Sequence, residues 1–272
     1  MKRMIVFLCV ILTFLIGCDS QRATPANPFQ LKTAVIEMES EDTITIQYHY
    51  NAEGFIQQED HSVNGEHDST ICYDYDAWGN KVRENIQYAD GSEFTVEHFI
   101  TLDENNRIKY EEKYSDTELT DIREISYDQN GNQISLINTI IKPGKDQLIN
   151  SKMTYDRKGN LIKRVIQLSN DPSMGGTTLY DYEKGRLIRE EHFAPAGWTK
   201  SYIEYSYDDS GFIQTAMEYN GNGSLQSKTV ITCDEYGNEL LYEYYSHTGK
   251  LPGSGDNIAD KVCTYTYEFI ER

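Results

Sequence analysis

Positive charge is scarce in this chain: 25 lysines and arginines stand against 44 aspartates and glutamates, a formal net charge of −19. That balance argues against nucleic acid and anionic lipid headgroups as partners. Histidine is sparse as well. His49, His61, His67, His98, His192 and His247 are dispersed and lack metal-ligand spacing. Beyond Cys9 and Cys18 only Cys72, Cys233 and Cys263 remain, an odd set at irregular spacing that makes no disulfide framework. The sequence holds no nucleophile elbow, zinc-protease helix or phosphate loop. The expectation is a protein without cofactor and without catalysis.

Long apolar runs are also few. Lys2 and Arg3 precede one at residues 4–16, too short for a bilayer span of about 17–25 residues. It reads as the core of a signal peptide covering residues 1–17. The run ends in Leu15-Ile16-Gly17-Cys18, the pattern of a bacterial lipobox, so Cys18 is the expected lipidation site. Residues 18–32 are polar, carry Pro25 and Pro28, and read as a flexible tether. Residues 33–272 form the remaining domain, and the expected location is the bacterial cell envelope.

That domain is a repeat. A four-residue turn with Asp or Asn first and Gly fourth recurs at 51–54, 76–79, 103–106, 128–131, 156–159, 182–185, 208–211 and 234–237. The fourth residues are Gly54, Gly79, Asn106, Gly131, Gly159, Gly185, Gly211 and Gly237, spaced 25, 27, 25, 28, 26, 26 and 26 apart. The first Asp starts a type I turn, and the fourth residue must take positive φ, which glycine and then asparagine do at least cost. Tyr182 breaks the first position, where Asp181 serves by a register shift. The oxygens of Asp128, Asn130 and Asn132 suit a turn better than a calcium loop, because no closing glutamate follows.

Both flanks of each turn alternate apolar and polar residues, as in Ile71, Tyr73, Tyr75 and Ile203, Tyr205, Tyr207. Period two argues half-buried antiparallel strands. Looser turns near Gly91, Gly144, Gly197 and Gly223 close each unit. Two strands and two turns fill each period, which leaves no room for a helix. The expected fold is all-β, a repetitive antiparallel hairpin meander of roughly 16–18 strands, strongly twisted and curled. The irregular spacings and a free last strand at residues 262–269 favour an open sheet over a closed one.

The segments Tyr75-Asp76 to Gly79-Asn80, Tyr127-Asp128 to Gly131-Asn132, Tyr155-Asp156 to Gly159-Asn160 and Tyr207-Asp208 to Gly211 resemble the RHS or YD-repeat family. Gly185-Arg186-Leu187 matches its glycine–arginine–leucine ending. The resemblance implies a curled β-sheet of the kind that, in large toxins, builds a shell around cargo. Here the period is longer, and no toxin or protease segment is appended.

Three functional expectations follow. The first is a non-enzymatic, membrane-anchored envelope lipoprotein presenting its β-surface to a protein or glycan. Tyr75, Tyr127, Tyr155, Tyr207 and Tyr267 form the possible binding surface, and the edge at 262–269 a docking site by strand addition. The second is a polysaccharide-processing enzyme with carboxylates on the concave face. The third is a structural or toxin-neutralising envelope protein. Asp60, His61, Glu66, His67 and Asp68 read as a solvated hairpin loop.

Overall fold

The computed structural model describes residues 29–38, 42–169, 171–246 and 261–269. The signal segment, Cys18 and most of the tether lie outside the described residues. Strands occupy nearly all of what is described: β1 (Phe29–Met38), β2 (Thr43–Tyr50), β3 (Ile56–Val63), β4 (Glu66–Tyr75), β5 (Lys81–Tyr88), β6 (Glu93–Leu102), β7 (Ile108–Ser115), β8 (Glu118–Tyr127) and β9 (Gln133–Ile140). They continue as β10 (Gln147–Tyr155), β11 (Leu161–Leu168), β12 (Gly176–Glu183), β13 (Arg186–Phe193), β14 (Thr199–Tyr207), β15 (Ile213–Asn220), β16 (Leu225–Cys233), β17 (Glu239–Ser246) and β18 (Lys261–Phe269). The first strand begins at Phe29, inside the stretch read as tether.

The sheet is closed, which corrects the expectation of an open one. Each strand pairs antiparallel with its sequence neighbours, and β18 pairs with both β17 and β1. Ala34 stands opposite Tyr265 on one side and Ile46 on the other. The edge at 262–269 is therefore filled, and strand addition there has no free groups to use. The irregular spacing does not obstruct closure, because it is absorbed in connections rather than strands. Spacings of 25 go with the tight loops at Asn64-Gly65 and Asp116-Thr117, and the spacing of 28 with residues 141–146. The strands keep eight to ten residues throughout.

The barrel has two rims. One carries the eight repeat turns together with the start of β1 and the end of β18, where Leu31 faces Tyr267. The other carries the looser connections. All eight fourth positions of the repeat turns hold positive φ, from 59° at Asn106 to 95° at Gly211. The sixth turn departs from its siblings: Glu183 pairs with Arg186, and Lys184 (φ 52°) and Gly185 (φ 83°) form a two-residue type I′ loop. A local twist match thus replaces the missing Asp at Tyr182.

Within the first three residues of every return strand sits a bulge. Gln57, Val82, Lys109, Ile134, Ile162, Ile188, Gln214 and Leu240 are each skipped by the pairing register. Bulges bend and twist the strand locally, which is how a long meander curls enough to close. They also explain why Ile134, Ile162, Ile188 and Leu240 are exposed although their sequence pattern reads as apolar strand.

Side chains alternate between a crowded and an open face. Concave surfaces crowd side chains, so the more buried face is the interior. Ile36, Ile44, Ile46, Ile71, Val96, Ile231 and Cys263 are buried there, along with Ser69 and Ser151 between larger neighbours. Between them the outward positions Gln47, His49, Asp74, Arg83, Asn85, Glu124, Lys152, Lys163 and Glu204 are exposed. A barrel that spans lipid needs an apolar band about 25 Å tall on this face. Here it is charged and polar. Most inward tyrosines and aliphatics stay only half-buried, so the interior is not packed solid.

Candidate functional site

The inward tyrosines divide into two rows. The row nearest the turn rim is structural. Tyr50, Tyr75, Tyr127, Tyr155, Tyr182 and Tyr207 donate their hydroxyls to the carbonyls of Leu31, Ile56, Ile108, Gln133, Leu161 and Leu187, at 2.6–3.1 Å. Each acceptor lies within the first three residues of a strand that starts on this rim, so every tyrosine ties its unit to the one before. Four of the five tyrosines expected to bind ligand are thus committed to backbone. Tyr267, the fifth, faces inward near the start of β1, and burial followed by the Glu239 charge raises its phenol. Burial and then Glu59 push Tyr75 up to about 12.

The residue that follows each turn finishes this layer. Phe55 stacks on Tyr75 at 4.9 Å, and the guanidinium of Arg107 lies 4.3 Å above the Tyr127 ring. Arg186 sits 5.3 Å above Tyr207. Where that residue is asparagine it turns back instead. Asn80, Asn132, Asn160 and Asn238 donate to the Asp of their own turn at 2.8–2.9 Å.

Deeper inside, a row of ionisable groups crosses β3 to β8. His61 bonds Glu59 at 2.9 Å; the Lys81 ammonium lies 2.8 Å from Glu84 and 4.7 Å above the Tyr73 ring. His98 bridges two carboxylates, with Nδ1 2.6 Å from Glu111 and Nε2 3.4 Å from Glu84. Arg123 completes the row 3.3 Å from Glu111. Burial works against ionising Glu84, but the His98 and Lys81 contacts outweigh it and hold the carboxyl at about 2. Glu111 is likewise lowered, against its burial, by His98 and Arg123. Burial disfavours charging His98, yet Glu111 and Glu84 together raise it. Glu84 and Glu111 are therefore held as anions beside Lys81 and Arg123, with His98 between them.

A second group lies across β11 to β16. Tyr205 donates to Glu190 at 2.8 Å, Ser227 to Glu218 at 3.1 Å, and Thr178 meets His192 at 3.0 Å. Tyr73 and Tyr205 are both raised, first by burial and then by Glu59 and Glu190 respectively. Arg164 Nε is buried here without a hydrogen-bond partner, as is Asn138 Oδ1 on β9 opposite Arg123. Glu239 stands apart, its carboxyl raised by burial.

Sequence reasoning missed these groups. His98 was one dispersed histidine, and Glu84 and Glu111 two acids among 44. The available signal was parity: in paired strands, inward positions follow from the tyrosine before each turn. His61 shows the same error. It lies within β3 and is 4% exposed, whereas the loop beside it is only Asn64-Gly65. Cys233 is half-buried, while Cys263 is buried and Cys72 exposed. Among the described residues no three His, Cys, Asp or Glu side chains converge as metal ligands.

No family model and no curated protein matches the chain. Among solved structures it is similar to TcdB2-TccC3, at 13% identity over 77% of this chain with a TM-score of 0.37. It spans only 14% of that longer chain. It is also similar to a porin-like protein from Bacteroides uniformis, at 12% identity over 92% of this chain and 99% of that one, with a TM-score of 0.45. All of these likenesses are weak, and the repetitive antiparallel β-architecture is what the chain has in common with the repeat family it resembles.

Proposed function

We propose that this protein is a non-enzymatic lipoprotein of the bacterial cell envelope, anchored through Cys18, whose barrel interior binds a glycan. The observation that carries the reading is the half-open interior, where tyrosine rings stand beside ionised carboxylates. Aromatic faces pack on sugar rings, and fixed anions accept hydrogen bonds from hydroxyls. With a net charge of −19 the ligand is neutral or amino-substituted rather than acidic. The charged outer wall fits a body held at a membrane by lipid rather than threaded through it.

Binding to a glycan array, with Glu111→Gln and Tyr205→Phe as interior variants, tests the reading. Retained binding in both variants, or binding only to proteins, would overturn it. Cys18→Ser tests the anchor: release from membranes and loss of fatty-acid labelling are expected. A second reading, a polysaccharide hydrolase, draws on Glu239, whose carboxyl is raised by burial above its ordinary value, the direction a general acid needs. It requires a second carboxylate across the same bond, and release of reducing ends from a bound glycan would favour it.

A further inference from the structure

We propose that the rim carrying the repeat turns rests on the bilayer surface, with Trp78 and Tyr236 seated among zwitterionic headgroups. This rests on the reading of Cys18 as a lipid anchor. Closure of the barrel gives the molecule two distinct ends, and the chain enters at one of them. Phe29 begins β1 beside the repeat turns, eleven residues after Cys18. Such a segment reaches at most about 40 Å, at 3.3–3.6 Å per residue. Strands of eight to ten residues run about 26–34 Å at 3.2–3.4 Å per residue, so the entry rim is the end nearest the anchor, and the opposite rim meets the membrane only with most of the tether drawn out along the wall.

The aromatic residues on this rim flank the entry point. Trp78 is 52% exposed at the third position of the turn between β4 and β5, and Tyr236 is 60% exposed at the third position of the turn between β16 and β17. Six strand spacings separate these turns, roughly 29 Å along the rim at about 4.8 Å each, with β1 between them. Neither turn needs an aromatic side chain at that place, since the other third positions include Glu53, Asn105 and Lys158. An exposed Trp and Tyr at one level suit the polar–apolar boundary of a bilayer. Asp76, Asp103, Asp208 and Asp234 on the same rim would be repelled by anionic lipid, which selects a zwitterionic surface.

The second tryptophan provides the control. Trp198, 59% exposed, lies in a connection of the opposite rim. The experiment uses the full chain expressed with a fatty-acid label and reconstituted into phosphatidylcholine vesicles containing brominated lipid. Trp198→Phe reports on Trp78 alone, and Trp78→Phe on Trp198 alone. With the label on Cys18, the expected result is a blue shift and strong quenching for Trp78 and neither for Trp198. A labelled chain in which Trp198 is quenched, or in which neither is, overturns the rim assignment and leaves the anchor intact. An unlabelled chain overturns the anchor reading, and the rim assignment falls with it.

Discussion

The ring of Phe212 occupies the space that a side chain on Gly237 would need, with its Cζ 2.9 Å from where the Cβ would stand. The same relation recurs one hairpin apart around the rim. Phe55 lies 2.8 Å from the Cβ position of Gly79, Arg186 Nη2 2.5 Å from that of Gly211, and Arg107 Nη1 3.4 Å from that of Gly131. Where the residue after the preceding turn is Asn132 or Asn160, the next glycines, Gly159 and Gly185, have nothing within 4 Å. Asn106 follows the unit that offers Asn80, so its side chain meets no such obstacle. Positive φ is demanded at every turn, and the absence of a side chain at only some.

Substitutions should separate the two demands. Gly237→Ala and Gly79→Ala combine left-handed strain with a clash, and are expected to cost about 2–3 kcal/mol. Gly159→Asn keeps a tolerated conformation in open space and should cost less than about 1 kcal/mol. Urea melts of the three variants check this. Equal losses would show that packing plays no part.

The tyrosine ties predict a graded loss. Tyr127→Phe and Tyr155→Phe each remove one hydroxyl-to-carbonyl bond while keeping the ring, so each should cost about 1 kcal/mol. Removing the whole side chain in Tyr207→Ala also strips the cover from Arg186, and should cost about 3 kcal/mol or more. Thermal melts of single variants and of a double variant measure the cost and its additivity.

Stability should depend on pH through the interior row. Glu84 is depressed from 4.5 to about 2, so its contribution is complete above 4.5 and is lost as pH falls toward about 2. Glu111 adds to the same limb. His98 is raised above 6.5, so its contribution is complete below 6.5 and fades as pH climbs through the folded value. Thermal midpoints across pH should thus fall on both sides, and Glu84→Gln should flatten the acid limb. An unchanged acid limb in that variant would place the effect elsewhere.

Closure has its own signature. Amides of β18 and β1 should exchange as slowly as those of β8 and β9 in a dilute monomer, because each strand has two partners. Fast exchange confined to residues 262–269 would mean an open seam.

What the sequence reveals divides by range. The turns were legible because positive φ and Asp hydrogen bonding are local demands, written in residues such as Asp156 and Gly159. Strand type was legible from alternation ending in Tyr127 or Tyr207. Closure was not, since it depends on the bulges at Gln57 through Leu240 adding their bends together, and a skipped residue looks like any other strand residue. The interior row was hidden for another reason. Glu84, His98, Glu111 and Arg123 lie on successive strands, and nothing in their own neighbourhoods marks them as partners.

The seam between the first and last strands makes the order of the chain incidental to the ring. Phe29 stands opposite Phe269 in the pairing register, so a short linker could join the two ends without disturbing a strand. A circular permutant opened at an uncrowded turn such as that of Gly159 would enclose the same interior with a different hairpin first. In such a permutant the anchor would leave from another point of the same rim, turning the barrel about its axis while keeping the same end toward the membrane.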